Sequence, residues 1–133
     1  MARGLSPLQQ QILTLAWERE QAIPNTRNAR HWLFPQMSYT QIYHWPVTHS
    51  AAAIPWDREH GLALHQSLHF QPDVIGSPRY HATMVTVSRA LGRLAARGLL
   101  TRRRVKWGLA WGLTDAGRTI AQQLPPWREM VIG

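Results

Sequence analysis

The chain has 133 residues, enough for one domain with a modest core and too few for two ordinary ones. Without cysteine it holds no disulfide, thiolate metal site or cysteine nucleophile, and no apolar run nears the roughly 20 residues that span a bilayer. Fifteen Lys and Arg against seven acids give a formal net charge of +8, which favours a polyanionic partner or an anionic membrane surface without choosing between them.

Ser6-Pro7-Leu8-Gln9 predicts a helix start, with Ser6 as cap, Pro7 where proline is tolerated and Gln9 reaching back. The helix runs from Pro7 to about Glu20. Leu8, Ile12, Leu15 and Ala16 share its core face, while Gln9, Gln10, Glu18 and Arg19 lie elsewhere, and Trp17 is a packing anchor. From 22 to 76 the prolines Pro24, Pro35, Pro46, Pro55 and Pro72 break every periodic run. Short helices are predicted from Ser38 to His44, with Ser38 as cap and Tyr39, Ile42 and Tyr43 inward, and from Asp57 to His69. Trp32, Trp45 and Trp56 mark this stretch as packed, because disordered chains are poor in aromatics.

Ser77-Pro78 repeats the cap-plus-proline signal, and a strong helix follows to Arg97. Tyr80, Met84, Val87, Leu91 and Leu94 form its buried stripe, and Gly98 stops it. At about 100° per residue the opposite face carries Ala82, Val85, Thr86, Arg89, Arg93 and Ala96, with Arg79 and Arg97 at its margin. Leu99–Val105 and Leu109–Leu113 read as a hairpin with Lys106-Trp107-Gly108 at its tip. Thr114-Asp115 opens a last helix with Ala116, Ile120 and Leu124 toward the core, ended by Pro125-Pro126. The expected fold is mainly α with a small β-hairpin (α+β), in a single domain over 1–133. It carries a Trp/Pro/His-rich segment at 22–76 and a short tail at 124–133.

From Val74 to Thr114 there is no acidic residue, yet the stretch holds Arg79, Arg89, Arg93, Arg97, Arg102, Arg103, Arg104 and Lys106. An ordinary solvated surface mixes signs, so this one suits phosphate. Arginine grips phosphate in two parallel hydrogen bonds, and Lys106 is the only lysine in the chain. In the hairpin, Arg102 and Arg104 share one face and Arg103 takes the other. Trp107 beside Lys106 can wedge into a groove, stack on an unpaired base or bind a protein.

The run Val87-Ser88-Arg89-Ala90-Leu91-Gly92-Arg93-Leu94-Ala95-Ala96-Arg97-Gly98-Leu99-Leu100, followed by Gly112-Leu113-Thr114-Asp115-Ala116-Gly117-Arg118, resembles the winged helix-turn-helix of MarR-like bacterial regulators. The resemblance covers about residues 78 to 122. It implies a recognition helix at 78–97 in the major groove of double-stranded DNA and a basic wing at 101–109 on the backbone or minor groove. Arg89 and Arg93 are then the first groove contacts, Thr86 and Arg79 lie nearer the helix start, and Lys106 with at least one of Arg102, Arg103 and Arg104 meets the backbone or a minor groove. The family dimerises through long terminal helices. No such helix is read after Leu124, so the expected state is a monomer or a homodimer of small interface. The 22–76 segment departs from the family and suits a protein partner. The alternative function is accordingly a winged-helix adaptor, binding protein or RNA within a nucleoprotein complex.

An enzyme is not expected, because the acids are scattered and, by the resemblance, Ser88 is a recognition-helix residue and not a nucleophile. His65 and His69 stand one helical turn apart, near His60, Asp57 and Glu59, and could bind zinc if a third ligand converged; with no acid between the pair and no cysteine, no metal or cofactor is expected. The start of the chain lacks the apolar run of a secretory signal, and the expected location is the cytoplasm.

Overall fold

In the computed structural model, which describes residues 4–23, 31–45, 72–105 and 108–127, Ser6 and Gln9 start the chain's first helix. Helix α1 spans Pro7–Ala22, and its capping box is complete: Ser6 Oγ accepts from the Gln9 amide at 3.1 Å, and Gln9 Oε1 accepts from the Ser6 amide at 2.9 Å. Such a cap contributes about 1 kcal/mol. Leu8, Ile12, Leu15 and Ala16 are buried as their spacing predicts, but so are Gln9, Gln11, Leu13, Thr14 and Arg19. Gln9 and Arg19 are therefore not on a solvated side. The helix is enclosed from several directions, and two of its buried polar side chains find partners in distant segments. Arg19 Nε donates to the Trp32 carbonyl at 2.8 Å, and Gln11 Nε2 donates to the Trp127 carbonyl at 3.2 Å.

Helix α2 spans Pro35–Gln41, three residues ahead of the predicted start. Pro35 sits in its first turn, where a missing amide costs nothing. Ser38 is thus a buried mid-helix residue and not a cap; Tyr39 and Ile42 are buried, and Tyr43 is half-buried. Tyr39, Trp45 and Tyr80 form a continuous stack, with ring centroids 4.6 and 5.1 Å apart. This stack joins the α2 region to the long helix that follows. Residues 46–71 lie outside the described residues, and with them Trp56, the predicted helix at 57–69 and the histidines His60, His65 and His69.

A single helical turn, α3 (Pro72–Ile75), leads through Gly76 into α4 (Ser77–Ala96). The predicted Ser77 cap is absent. Ser77 is already helical, and Gly76 occupies the cap position at φ 98°, a left-handed conformation that glycine alone adopts readily. α4 buries Thr83, Val87, Ala90, Leu91 and Leu94. Met84, expected in that stripe, is 38% exposed, because Thr83 lies closer to the centre of the buried arc. At the far end the Gly98 amide donates to Ala95 and the Leu99 amide to Leu94, with Gly98 at φ 74°. These paired bonds satisfy the last carbonyls and turn the chain out of the helix.

Strands β1 (Leu100–Val105) and β2 (Gly108–Leu113) pair antiparallel, with Leu100 opposite Leu113 and Arg102 opposite Trp111. On its other edge β2 exchanges two backbone hydrogen bonds with Leu33, at 2.9 and 2.8 Å. The Trp32 indole lies directly over Gly112, in the space a side chain would fill. Helix α5 (Asp115–Gln123) is capped by Thr114, whose hydroxyl accepts from Gly117 and donates to the Gly98 carbonyl at 2.6 Å. Gly117 and Ala121 face the core, Ile120 and Leu124 are half-buried, and Ala116 is exposed, contrary to the predicted phase. A Cβ on Gly117 would meet the Leu99 carbonyl oxygen, so close packing there has shifted the helix by one position.

α5 and β2 both rest on α1. The Arg118 guanidinium grips Glu20 with two parallel bonds at 2.9 Å and also reaches Asp115 at 2.8 Å, which raises its pKa further. The segment after Leu124 does not run free at first: Trp127 is buried, and its Nε1 donates to Glu18 at 2.6 Å. Among the described residues the chain is mainly helical with one two-stranded antiparallel hairpin, and no helix is long and apolar enough to cross a membrane.

The two kinds of glycine separate by substitution. Gly117→Ala is expected to destabilise by about 1 to 3 kcal/mol, while Gly92→Ala, exposed with nothing near its added methyl, is expected to stabilise by about 0.5 to 1 kcal/mol in urea denaturation. Burial, with Tyr80 and Tyr43 adding to it, pushes the Tyr39 phenol from 10.0 up to about 12. Between those values the unfolded chain releases a proton that the folded chain keeps, so stability falls as pH rises through that window. Denaturation midpoints measured across that range should fall for the native chain, and less so for Tyr39→Phe.

Candidate nucleic-acid interface

The outward face of α4 follows from its helical period, since the residues opposite Thr83, Val87, Ala90 and Leu94 cannot reach the core. Ala82, Val85, Thr86, Arg89, Arg93 and Ala96 are all exposed, as are Arg79 and Arg97 at the margin. Among the described residues no acidic side chain pairs with Arg79, Arg89 or Arg93. Arg19 and Arg118 are the contrast. One is only 2% exposed and the other is held between two carboxylates, so both serve the fold.

Arg89 and Arg93 stand one turn apart and line an open cleft of about 430 Å3 that Ser6, Gln9, Tyr43 and Thr86 help to close. The first turn of α1 borders this cleft, and its amide dipoles add to the positive potential there. Tyr43 was read from the sequence only as an inward-facing residue. Burial raises its phenol above the ordinary value, so it stays a neutral hydroxyl at the cleft wall.

Two predicted contacts have other engagements. Arg97 Nη1 donates to the Gly4 carbonyl at 3.1 Å, tying the end of α4 to the segment ahead of α1. The Thr86 hydroxyl donates to the Ala82 carbonyl at 2.8 Å, so its proton is turned to its own helix and its methyl remains for an outside contact. Arg93 lies in the last turn of α4, where a cation also complements the helix dipole.

Arg102, Arg103 and Arg104 are exposed along β1, with Arg103 on the opposite side from the other two. The Arg102 guanidinium lies 5.8 Å from the centre of the Trp111 ring, its cross-strand partner. That stacking holds Arg102 against the hairpin. Trp111 itself is buried, at the base of the hairpin. Lys106 and Trp107 lie outside the described residues.

A second concavity, of about 640 Å3, opens between α1 and α5, with Trp17, Leu124 and Trp127 in its wall. Glu18 lines it too, but its carboxylate already accepts from Trp127. No protein-family model matches the chain, and no curated protein or solved structure matches it either.

Proposed function

We propose that this chain is a winged-helix DNA-binding protein, a small transcription regulator of prokaryotic or mobile-element type that reads double-stranded DNA. The observation that carries this reading is the acid-free arginine face of α4, continued along the chain by the exposed arginines of β1. A helix fits the major groove, where arginine bonds guanine edges or phosphate, while the hairpin suits the backbone or the minor groove. The layout supports the same reading: a helix, the Leu33 bridge to the hairpin, a short helix, a long helix and then the two strands. In this reading the protein is cytoplasmic, non-enzymatic and without cofactor, and acts as a monomer or a dimer of small interface.

A second reading, an adaptor within a nucleoprotein complex, draws on Val74, Met84 and Val85, which are 61%, 38% and 47% exposed. Large apolar side chains at a surface suit a protein partner.

Selection of random double-stranded DNA at two salt concentrations separates the two. The regulator should enrich a sequence motif and lose affinity steeply with salt, because each neutralised phosphate releases counterions. Retention without a motif, together with a stoichiometric protein partner, favours the adaptor. Flat affinity across salt overturns both forms of DNA binding. On the selected site, Arg89→Ala should cost roughly 1 to 3 kcal/mol and relax specificity at one position. Arg103→Ala should weaken all sequences alike and lower the salt slope by about 1.

A further inference from the structure

The outward face of α4 has an unusual side-chain inventory for a helix that reads bases. From Ser77 to Ala96 it contains no Asn, Gln, Asp or Glu. Bidentate recognition of adenine uses an amide side chain, and the cytosine amino group is read by a carboxylate. Neither is available on this helix. What it offers is arginine, which reads guanine, the hydroxyl of Ser88 and the imidazole of His81, which do not discriminate in that bidentate way, and methyl groups.

The methyl groups are contiguous. Ala82 stands three residues before Val85 and four before Thr86, so its methyl neighbours both on the helix surface. Val85 lies almost opposite the buried stripe and is 47% exposed. Thr86 has its hydroxyl proton on the Ala82 carbonyl and presents its methyl. Arg79, three residues before Ala82, and Arg89, four after Val85, frame this patch, and both are exposed. An apolar spot set between two cations matches the one apolar group in the major groove, the thymine methyl.

We infer that α4 reads thymine through the Ala82, Val85 and Thr86 methyls, next to a guanine held by Arg89. One helical turn is about 5.4 Å and a base-pair step about 3.4 Å, so the thymine lies one or two base pairs from that guanine. The inference rests on the DNA-binding reading and specifies its target.

Deoxyuridine tests it, because uracil pairs as thymine does and lacks only the methyl. The site enriched by the full chain from random duplexes is resynthesised with uracil at each thymine in turn. Binding should weaken about fourfold where a contacted methyl is removed, the value of burying one such group. Val85→Ala should shrink that difference, and because Val85 is half-exposed the variant is expected to fold. An enriched site with no thymine within two base pairs of a guanine, or one indifferent to uracil at every position, overturns the inference and leaves the DNA-binding reading standing. Failure to retain any duplex overturns both.

Discussion

Helix α1 has almost no side to give to water. Ile12, Leu13 and Leu15 are fully buried, and α4, α5 and β2 all rest on this one helix. A helix so enclosed must find internal partners for its polar side chains, since an unmet buried donor costs about 1 to 3 kcal/mol. Arg19 meets the Trp32 carbonyl, Gln11 the Trp127 carbonyl and Glu20 the Arg118 guanidinium. Those three contacts draw in the segment before α2, the segment after α5, and α5 itself. The position of α4 against this post is therefore fixed from its buried side, which leaves its arginine face exposed, with the start of α1 and Tyr43 walling the cleft beside Arg89 and Arg93.

Features set by neighbours in the chain were legible in the residues. The capping box at Ser6 and Gln9, the stop at Gly98 and the outward direction of Arg89 and Arg93 depend on bonds or angles within a few positions. Features set by tertiary approach were not. Thr83 replaces Met84 in the buried stripe because of what α4 rests against, whereas a heptad count places Met84 on the stripe and leaves Thr83 beside it. Arg19 is buried because a carbonyl thirteen residues away receives it. Ser38 carried the composition of a cap, but Pro35 had already begun the helix. At the candidate interface, the exposure of the arginines followed from the helical period, whereas the place of Tyr43 beside Arg89 and the tie from Arg97 to Gly4 required the fold.

The arginines divide by what surrounds them, although composition makes them one population. Arg19 and Arg118 are structural, as burial and carboxylate contact decide. Arg97 and Arg102 are partly occupied, one by a carbonyl and the other by an indole. Arg79, Arg89, Arg93, Arg103 and Arg104 remain turned to solvent. A strongly basic chain can thus keep its fold electrostatically satisfied and still present a surface of one sign.

Thr114 bonds the Gly98 carbonyl with its hydroxyl and the Leu99 carbonyl with its amide, so the hairpin is pinned where it leaves α4 and where it enters α5. A ribbon fixed at its root behaves as a cantilever whose length is independent of the body that carries it. Adding two residues to each strand would advance its outer end by about 7 Å and leave every side chain above the root on the same face. Reach can therefore change through evolution while the helices that hold the ribbon stay as they are.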